Sequence, residues 1–354
     1  MAIDNHDDEV WMRRCFDLAR RGIGHVSPNP PVGAVLVHDG KILSEGYHTH
    51  FGGPHAEVET FNKVASKDKH LIPHSILYVS LEPCCIYNKT PPCTELLIKE
   101  GVKDVRVSTV DPNPAVAGNG IAILNENNIK TTSGILEKEG KKLIRAFTTN
   151  ILHKQPYVIL KWAQSKEGYL GRDNERILLS HTYTSSWSHQ LRAGIDVILV
   201  GARTVVVDNP ELTTRMAPGR SPHRAVYDPG GKLDAQFEVF NDDGCKVFYF
   251  SKMHTQALRN KNIIQFILHD TSSHAMQMKS HLFSHQIGTI LVEGGAYLLN
   301  LFIQENEWNE AWVIRTNHTL ADGNKAPSVT GTLIEKIKSA SDIIVGIEND
   351  KKKN

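Results

Sequence analysis

Short apolar runs alternate with helical stretches along most of this chain, and the alternation slackens once, near residues 145–156. A strand followed by a helix before the next strand builds a mainly parallel layer, so the pattern predicts an α/β chain of two domains. Pro156 opens the run YVILKWA, which places the domains at 1–148 and 155–346 with a polar tail over 347–354. The length of 354 residues agrees with two domains of about 150 residues each.

In the first half, Asp7 or Asp8 is expected to cap a helix carrying Val10, Trp11, Cys15, Leu18 and Ala19, ended by Gly22 and Gly24. The run VGAVLVHDGKILSEGYH (32–48) reads as two antiparallel strands turned at Asp39-Gly40, a dipeptide that tolerates positive φ. HAEVETFNKVA and TELLIKEG read as helices, SILYVSLEP and DVRVSTV as strands. The second half repeats the alternation with IDVILVG, RAVYD, KVFYF, IIQFIL and TILVEGG as strands. Its His- and Ser-rich stretch 270–285 has no metal-ligand spacing and is read as a connecting helix or loop.

Forty Lys+Arg against 39 Asp+Glu give a formal charge of +1, which supplies no field for a polyanion and argues against nucleic acid as partner. No apolar stretch reaches the ~20 residues that span a bilayer, and the start MAIDNHDDEV is unlike a signal peptide, so a cytoplasmic protein with no membrane partner is expected. Five cysteines are too few for a disulfide framework, yet Cys84, Cys85 and Cys93 cluster within ten residues.

That cluster belongs with His55-Ala56-Glu57. One imidazole and two thiolates, His55, Cys84 and Cys93, make a zinc donor set that leaves a fourth position for water, the arrangement of a catalytic site. His55 follows Gly-Gly-Pro and Cys93 follows Pro91-Pro92, both at expected helix starts, where the dipole favours a thiolate. Glu57 is the candidate proton shuttle from the activated water to a departing amine. The competing readings are a structural zinc knot that also uses Cys85, or cysteines merely buried at element ends. H-x-E paired with P-C is a zinc nucleobase deaminase signature, here with eight residues between the two cysteine ligands instead of two.

The runs PNPPVGAVLV (28–37), GYHTHFGGPHAEVE (46–59), LEPC…KTPPC (81–93) and DPNP (111–114) resemble the deaminase half of the bifunctional riboflavin-biosynthesis deaminase/reductases. In the second half LKWAQSKEG (160–168), LRA (191–193), ILVGARTVVVDNPELTTR (198–215) and ILVEGG (290–295) are similar to that family's reductase domain. The resemblance implies a cytidine-deaminase-like three-layer domain followed by a dihydrofolate-reductase-like domain. It implies zinc-dependent deamination of 2,5-diamino-6-(5-phosphoribosylamino)pyrimidin-4-one, then NADPH reduction of the ribosyl group of 5-amino-6-(5-phosphoribosylamino)uracil to ribityl. One Zn2+ per chain is assigned to His55, Cys84 and Cys93, with Glu57 catalytic and Asn29, His48 and Lys89 touching the deaminase substrate. Ala163, Thr204 and Asp208 are assigned to NADPH, and Arg192, Leu212, Arg215 and Glu293 to the reductase substrate. A homo-oligomer is expected.

Without the resemblance the second half names no cofactor, since it lacks a G-x-G-x-x-G fingerprint; Glu293-Gly294-Gly295 at a strand end can bring backbone N–H groups to a phosphate or be a plain turn. Three departures stand out. Cys85-Ile86 replaces the family's Ser-His, removing a polar group from the substrate wall. Its S-x-D-G is Ser165-Lys166-Glu167-Gly168, and its S-x-W-I-T is Arg176-Ile177-Leu178-Leu179-Ser180. They motivate an alternative in which an active deaminase carries a degenerate, binding-only reductase domain.

Overall fold

Asp39 and Gly40 take φ of 47° and 70°, and the turn they form joins β1 (Gly33–His38) to β2 (Lys41–Tyr47) in antiparallel register. In the computed structural model, which describes residues 5–87, 91–256, 258 and 261–352, this hairpin is one edge of a five-stranded sheet. The sheet continues through β3 (Ile76–Leu81), β4 (Asp104–Thr109) and β5 (Lys130–Ser133) in the order β2-β1-β3-β4-β5, with β3, β4 and β5 parallel. Both faces are covered. Ala34 and Leu36 pack against Phe61, Leu97 and Leu124 of α2 (Ala56–Asn62), α3 (Cys93–Glu100) and α4 (Asn119–Glu126). Val35, Val37 and Tyr78 point the other way, onto Met12, Phe16 and Leu18 of α1 (Asn5–Arg20). Alternate residues of β1 thus serve two cores, which is why the strand reads as an unbroken apolar run.

Two expectations need correction here. The first helix begins at Asn5, so Asp7 and Asp8 lie inside its first turn; buried Asp8 instead accepts the Tyr78 hydroxyl at 2.8 Å and pairs with the Arg106 guanidinium, a buried cation that requires an anion. The first unit also runs past residue 148 to Lys154, because α5 (Glu137–Leu143) is followed by α6 (Arg145–His153), whose Phe147 and Ile151 line a cavity of this unit.

The second unit spans Gln155–Asn354. Its elements are β6 (Tyr157–Gln164), β7 (Tyr169–Gly171), α7 (Thr182–Ala193), β8 (Val197–Gly201), α8 (Ala202–Asp208), β9 (His223–Tyr227), β10 (Val247–Ser251), β11 (Ile263–Ile267), α9 (His274–Ser284), β12 (Thr289–Glu293), α10 (Ala296–Gln304), β13 (Glu310–Arg315), β14 (Asn324–Lys325), β15 (Thr332–Ser339) and β16 (Asp342–Glu348). The main sheet has the order β11-β10-β9-β8-β12-β6-β13-β16-β15, parallel from β11 to β13 and antiparallel beyond. Residues 347–349, assigned to the polar tail, are structural: Ile347 and Glu348 pair on both sides within β16, and buried Asn349 donates to the Trp308 carbonyl at 2.8 Å. Among the described residues no helix is long and apolar enough to cross a membrane.

Candidate active sites

His55 is the N-cap of α2 and Cys93 the first residue of α3, just after Pro92. Cys84 sits in the loop leaving β3, and its carbonyl accepts the Thr94 N–H at 3.2 Å, which ties that loop to the start of α3. His55 Nδ1 lies 3.5 Å from Cys84 Sγ and 3.3 Å from Cys93 Sγ, and the three donor atoms all fall within 4.8 Å of one another. Zn–N and Zn–S bonds of about 2.05 and 2.3 Å at tetrahedral angles imply N···S edges of about 3.6 Å. The two N···S distances therefore come close to the edges of a zinc tetrahedron, and the third edge lies within 4.8 Å. Cys85 is not among them; its Sγ lies 4.0 Å from the Ala115 carbonyl.

The three groups share protons unequally: the hydrogen bond to Cys84 and burial keep Cys93 a thiol, well above its ordinary range, so a metal would have to displace its proton. The Cys93 thiol and the His55 ring hold Cys84 well below the ordinary thiol range, and the Cys93 N–H adds a hydrogen bond to Cys84 Sγ at 3.3 Å. His55, bound to that thiolate, is raised to about 9. Glu57 is 3% exposed; burial pushes its carboxyl up, His55 opposes this, and it is in hydrogen-bond contact with the Cys93 thiol.

Glu57, His55 and Cys84 open onto a cavity of about 480 Å³ that Asn29, His48 and Ile86 also line. His48 Nδ1 lies 2.8 Å from the Pro54 carbonyl, which can only accept, so Nδ1 carries the proton and Nε2 accepts the Asn29 amide N–H at 3.1 Å. Burial holds the His48 pKa down and keeps the ring neutral. The relay fixes which end of the Asn29 amide is donor. Ile86 gives the apolar wall expected from the Cys85-Ile86 departure, and Lys89 lies outside the described residues. Sequence reasoning missed Glu82: its buried carboxylate accepts the backbone N–H of Asp111, Gly118 and Ile121 at 3.0–3.1 Å and so holds the DPNP loop against the cavity. The only signal available was a charged residue ending an apolar strand.

In the second unit Arg192, near the end of α7, grips Glu293 at the end of β12 with two bonds of 3.1 and 2.7 Å, and its third nitrogen reaches the Thr213 carbonyl at 3.3 Å. Lys161 of β6, which sequence reasoning did not single out, lies 3.9 Å from the same carboxylate; burial lowers its pKa and Glu293 opposes that. Burial works against an ionised Glu293, yet Arg192 and then Lys161 outweigh it and hold the carboxyl at about 2. Leu212 is buried with φ 58°, bending the chain so that the Arg215 N–H meets His189 Nδ1 at 3.3 Å. The Arg215 side chain is exposed and lies 3.7 Å from Glu211.

Ala163 follows Lys161 on β6, opposite Ile314, and Asp208 ends α8, half-buried with its carboxyl raised by burial and partly offset by Arg176. Thr204 packs where Gly294 (φ 122°) has no side chain: a Cβ there would come within 2.7 Å of Thr204 Oγ1. Gly295, the N-cap of α10, faces open space instead and stands at a helix start, a position that suits a phosphate. The altered S-x-E-G segment still closes its turn. Ser165 Oγ donates to Glu167 at 3.0 Å and accepts the Tyr169 N–H at 3.2 Å, while Glu167 also takes the Leu320 N–H at 2.9 Å. Leu178 is 77% exposed.

A model of the cytidine and deoxycytidylate deaminase zinc-binding region matches residues 5–109, and a model of the RibD C-terminal domain matches 156–340. The riboflavin biosynthesis protein RibD of Aquifex aeolicus is 33% identical over 329 residues, 89% of this chain and 88% of that protein. The crystal structure of a diaminohydroxyphosphoribosylaminopyrimidine deaminase/5-amino-6-(5-phosphoribosylamino)uracil reductase from Thermotoga maritima is similar at a TM-score of 0.89 and 34% identity, covering 97% of this chain and 99% of that one. Acinetobacter baumannii RibD gives a TM-score of 0.87 at 29% identity, over 98% and 99% of the two chains.

Proposed function

The chain belongs to the RibD family of riboflavin-biosynthesis proteins and is a bifunctional deaminase/reductase of pyrimidine riboside intermediates; from that premise we propose the residues and cofactors that perform each half. The substrates are those of the family: 2,5-diamino-6-(5-phosphoribosylamino)pyrimidin-4-one for deamination and 5-amino-6-(5-phosphoribosylamino)uracil for reduction. The observation that carries the deaminase assignment is the trio His55, Cys84 and Cys93, its donor atoms within 4.8 Å of one another, beside buried Glu57.

His55, Cys84 and Cys93 would hold one zinc ion. When bound, zinc supplies a Lewis acid that ionises water near neutral pH. Glu57, whose carboxyl burial makes a better proton carrier at that pH, would take a proton from the water whose oxygen bonds the ring carbon and deliver it to the amine departing from that carbon, so that ammonia leaves. Asn29, its amide fixed by His48, presents a defined donor and acceptor to the edge of the pyrimidine. Lys89 is retained as a contact for the substrate phosphate.

In the reductase half NADPH, when bound, supplies the hydride for the ribosyl carbon. Thr204, Ala163 and Asp208 are proposed to border it, with Gly294 and Gly295 admitting its diphosphate. Arg192 and Lys161 outnumber Glu293 by one charge, so this buried centre is net positive and suits an anionic sugar phosphate. Leu212 and Arg215, on the 209–215 loop that the Arg192 guanidinium reaches through the Thr213 carbonyl, are assigned to the same substrate. The intact Ser165–Glu167 turn favours a working reductase over a binding-only domain. The test is metal analysis of the purified chain coupled to ammonia release and NADPH oxidation. One zinc per chain with both activities is expected; a metal-free chain that still deaminates would overturn the zinc assignment.

A further inference from the structure

Tyr297, in the first turn of α10, is 72% exposed, an unusual position for a large ring without a partner in solution. It is nevertheless held in place. Its ring lies nearly parallel to that of Tyr227, at 13° and 6.3 Å between centroids, and the two side chains are in hydrogen-bond contact. Tyr227 is 3% exposed, and its hydroxyl meets His274 Nδ1 at 2.9 Å while His274 Nε2 lies 3.3 Å from Asp270. A buried, braced ring thus orients an exposed one.

The placement fits a ligand. Tyr227 ends β9 and Tyr297 follows β12, so both sit at the carboxyl edge of the parallel strands, where α/β sheets bind nucleotides. From Lys161 on β6 to Tyr227 on β9 the sheet order β9-β8-β12-β6 counts three strand spacings, about 14 Å in all. An extended dinucleotide bridges such a distance between its two rings. Gly295, two residues before Tyr297 and facing open space, lies between these ends on β12's side of the sheet.

We propose that Tyr297, braced by Tyr227, is the stacking platform for the adenine ring of the reduced dinucleotide. This deepens the reductase assignment above and rests on it. Stacking of a base on an aromatic side chain is lost on substitution by alanine at a cost of about ten- to a hundredfold in affinity. Tyr297→Ala in the full chain is therefore expected to bind NADPH, and adenosine 2′,5′-bisphosphate as a probe of the adenine end, at least about tenfold more weakly by calorimetry. Tyr297→Phe, which keeps the ring, should stay within about threefold. Thermal unfolding reports whether the alanine variant is folded, and Tyr297→Leu provides the same comparison if it is not. An alanine or leucine variant that binds NADPH as tightly as the unaltered chain overturns the platform and leaves the reductase assignment standing. Failure of the unaltered chain to bind NADPH overturns the reductase assignment and the platform with it.

Discussion

Replacing Glu293 by glutamine removes the one negative charge between two buried cations, and the loss can be sized from its surroundings. Arg192 and Lys161 hold the carboxyl at about 2 against an ordinary 4.5, despite burial. That displacement corresponds to about 3 kcal/mol of stability at neutral pH. Because the folded-state value is the lower one, the contribution is fully present above pH 4.5 and disappears as the pH falls through that value toward 2. Glu293→Gln should therefore destabilise the second unit by about 3 kcal/mol at pH 7, and the gap to the unaltered chain should close by about 1.4 kcal/mol for each pH unit below 4.5. Urea unfolding followed by tryptophan fluorescence reads this unit selectively, since Trp162, Trp187, Trp308 and Trp312 lie in it and only Trp11 in the other. Equal stability at pH 7, or a gap that stays constant between pH 7 and 3.5, would refute the claim that this ion triad holds an ionised carboxylate in place.

In the first unit Glu57→Gln should retain zinc and lose about 10²- to 10⁴-fold in ammonia release, as for loss of a general acid–base group; full activity with zinc bound would remove Glu57 from the mechanism. Cys93→Ala should lose both zinc and deamination while NADPH oxidation with the deaminated intermediate persists, checked by metal analysis and absorbance at the NADPH band. Ile86→His restores a hydrogen-bonding group to the cavity wall, so KM for the aminopyrimidine should fall about two- to tenfold with kcat little changed; an unchanged KM would show that this wall does not touch substrate.

The meeting of His55, Cys84 and Cys93 was legible because each carries a local cue: a Gly-Gly-Pro turn before His55, a strand end before Cys84, two prolines before Cys93. The Asp39-Gly40 hairpin was legible for the same reason, its conformation being set by two adjacent residues. What stayed hidden depends on partners remote in sequence. Lys161 reads as a lysine in an apolar strand until Glu293, 132 positions away, closes on it. Asp8 reads as a helix cap until Arg106 arrives beneath it, and Asn349 as part of a charged tail until β16 carries it to Trp308. Local pattern reports elements and their ends; the pairing of buried charges is decided by topology, which pattern alone does not contain.

The three N–H groups gathered by Glu82 have a bearing on how a ligand of the adjoining cavity would be received. A segment anchored at Asp111, Gly118 and Ile121 by one carboxylate enters the folded state already rigid, so an arriving ligand finds that side of its chamber formed and need not freeze it. Affinity there is governed by shape fixed in advance, and exchange of a single side chain in the chamber's own lining, at residue 82, would turn a finished wall into one the ligand must assemble for itself.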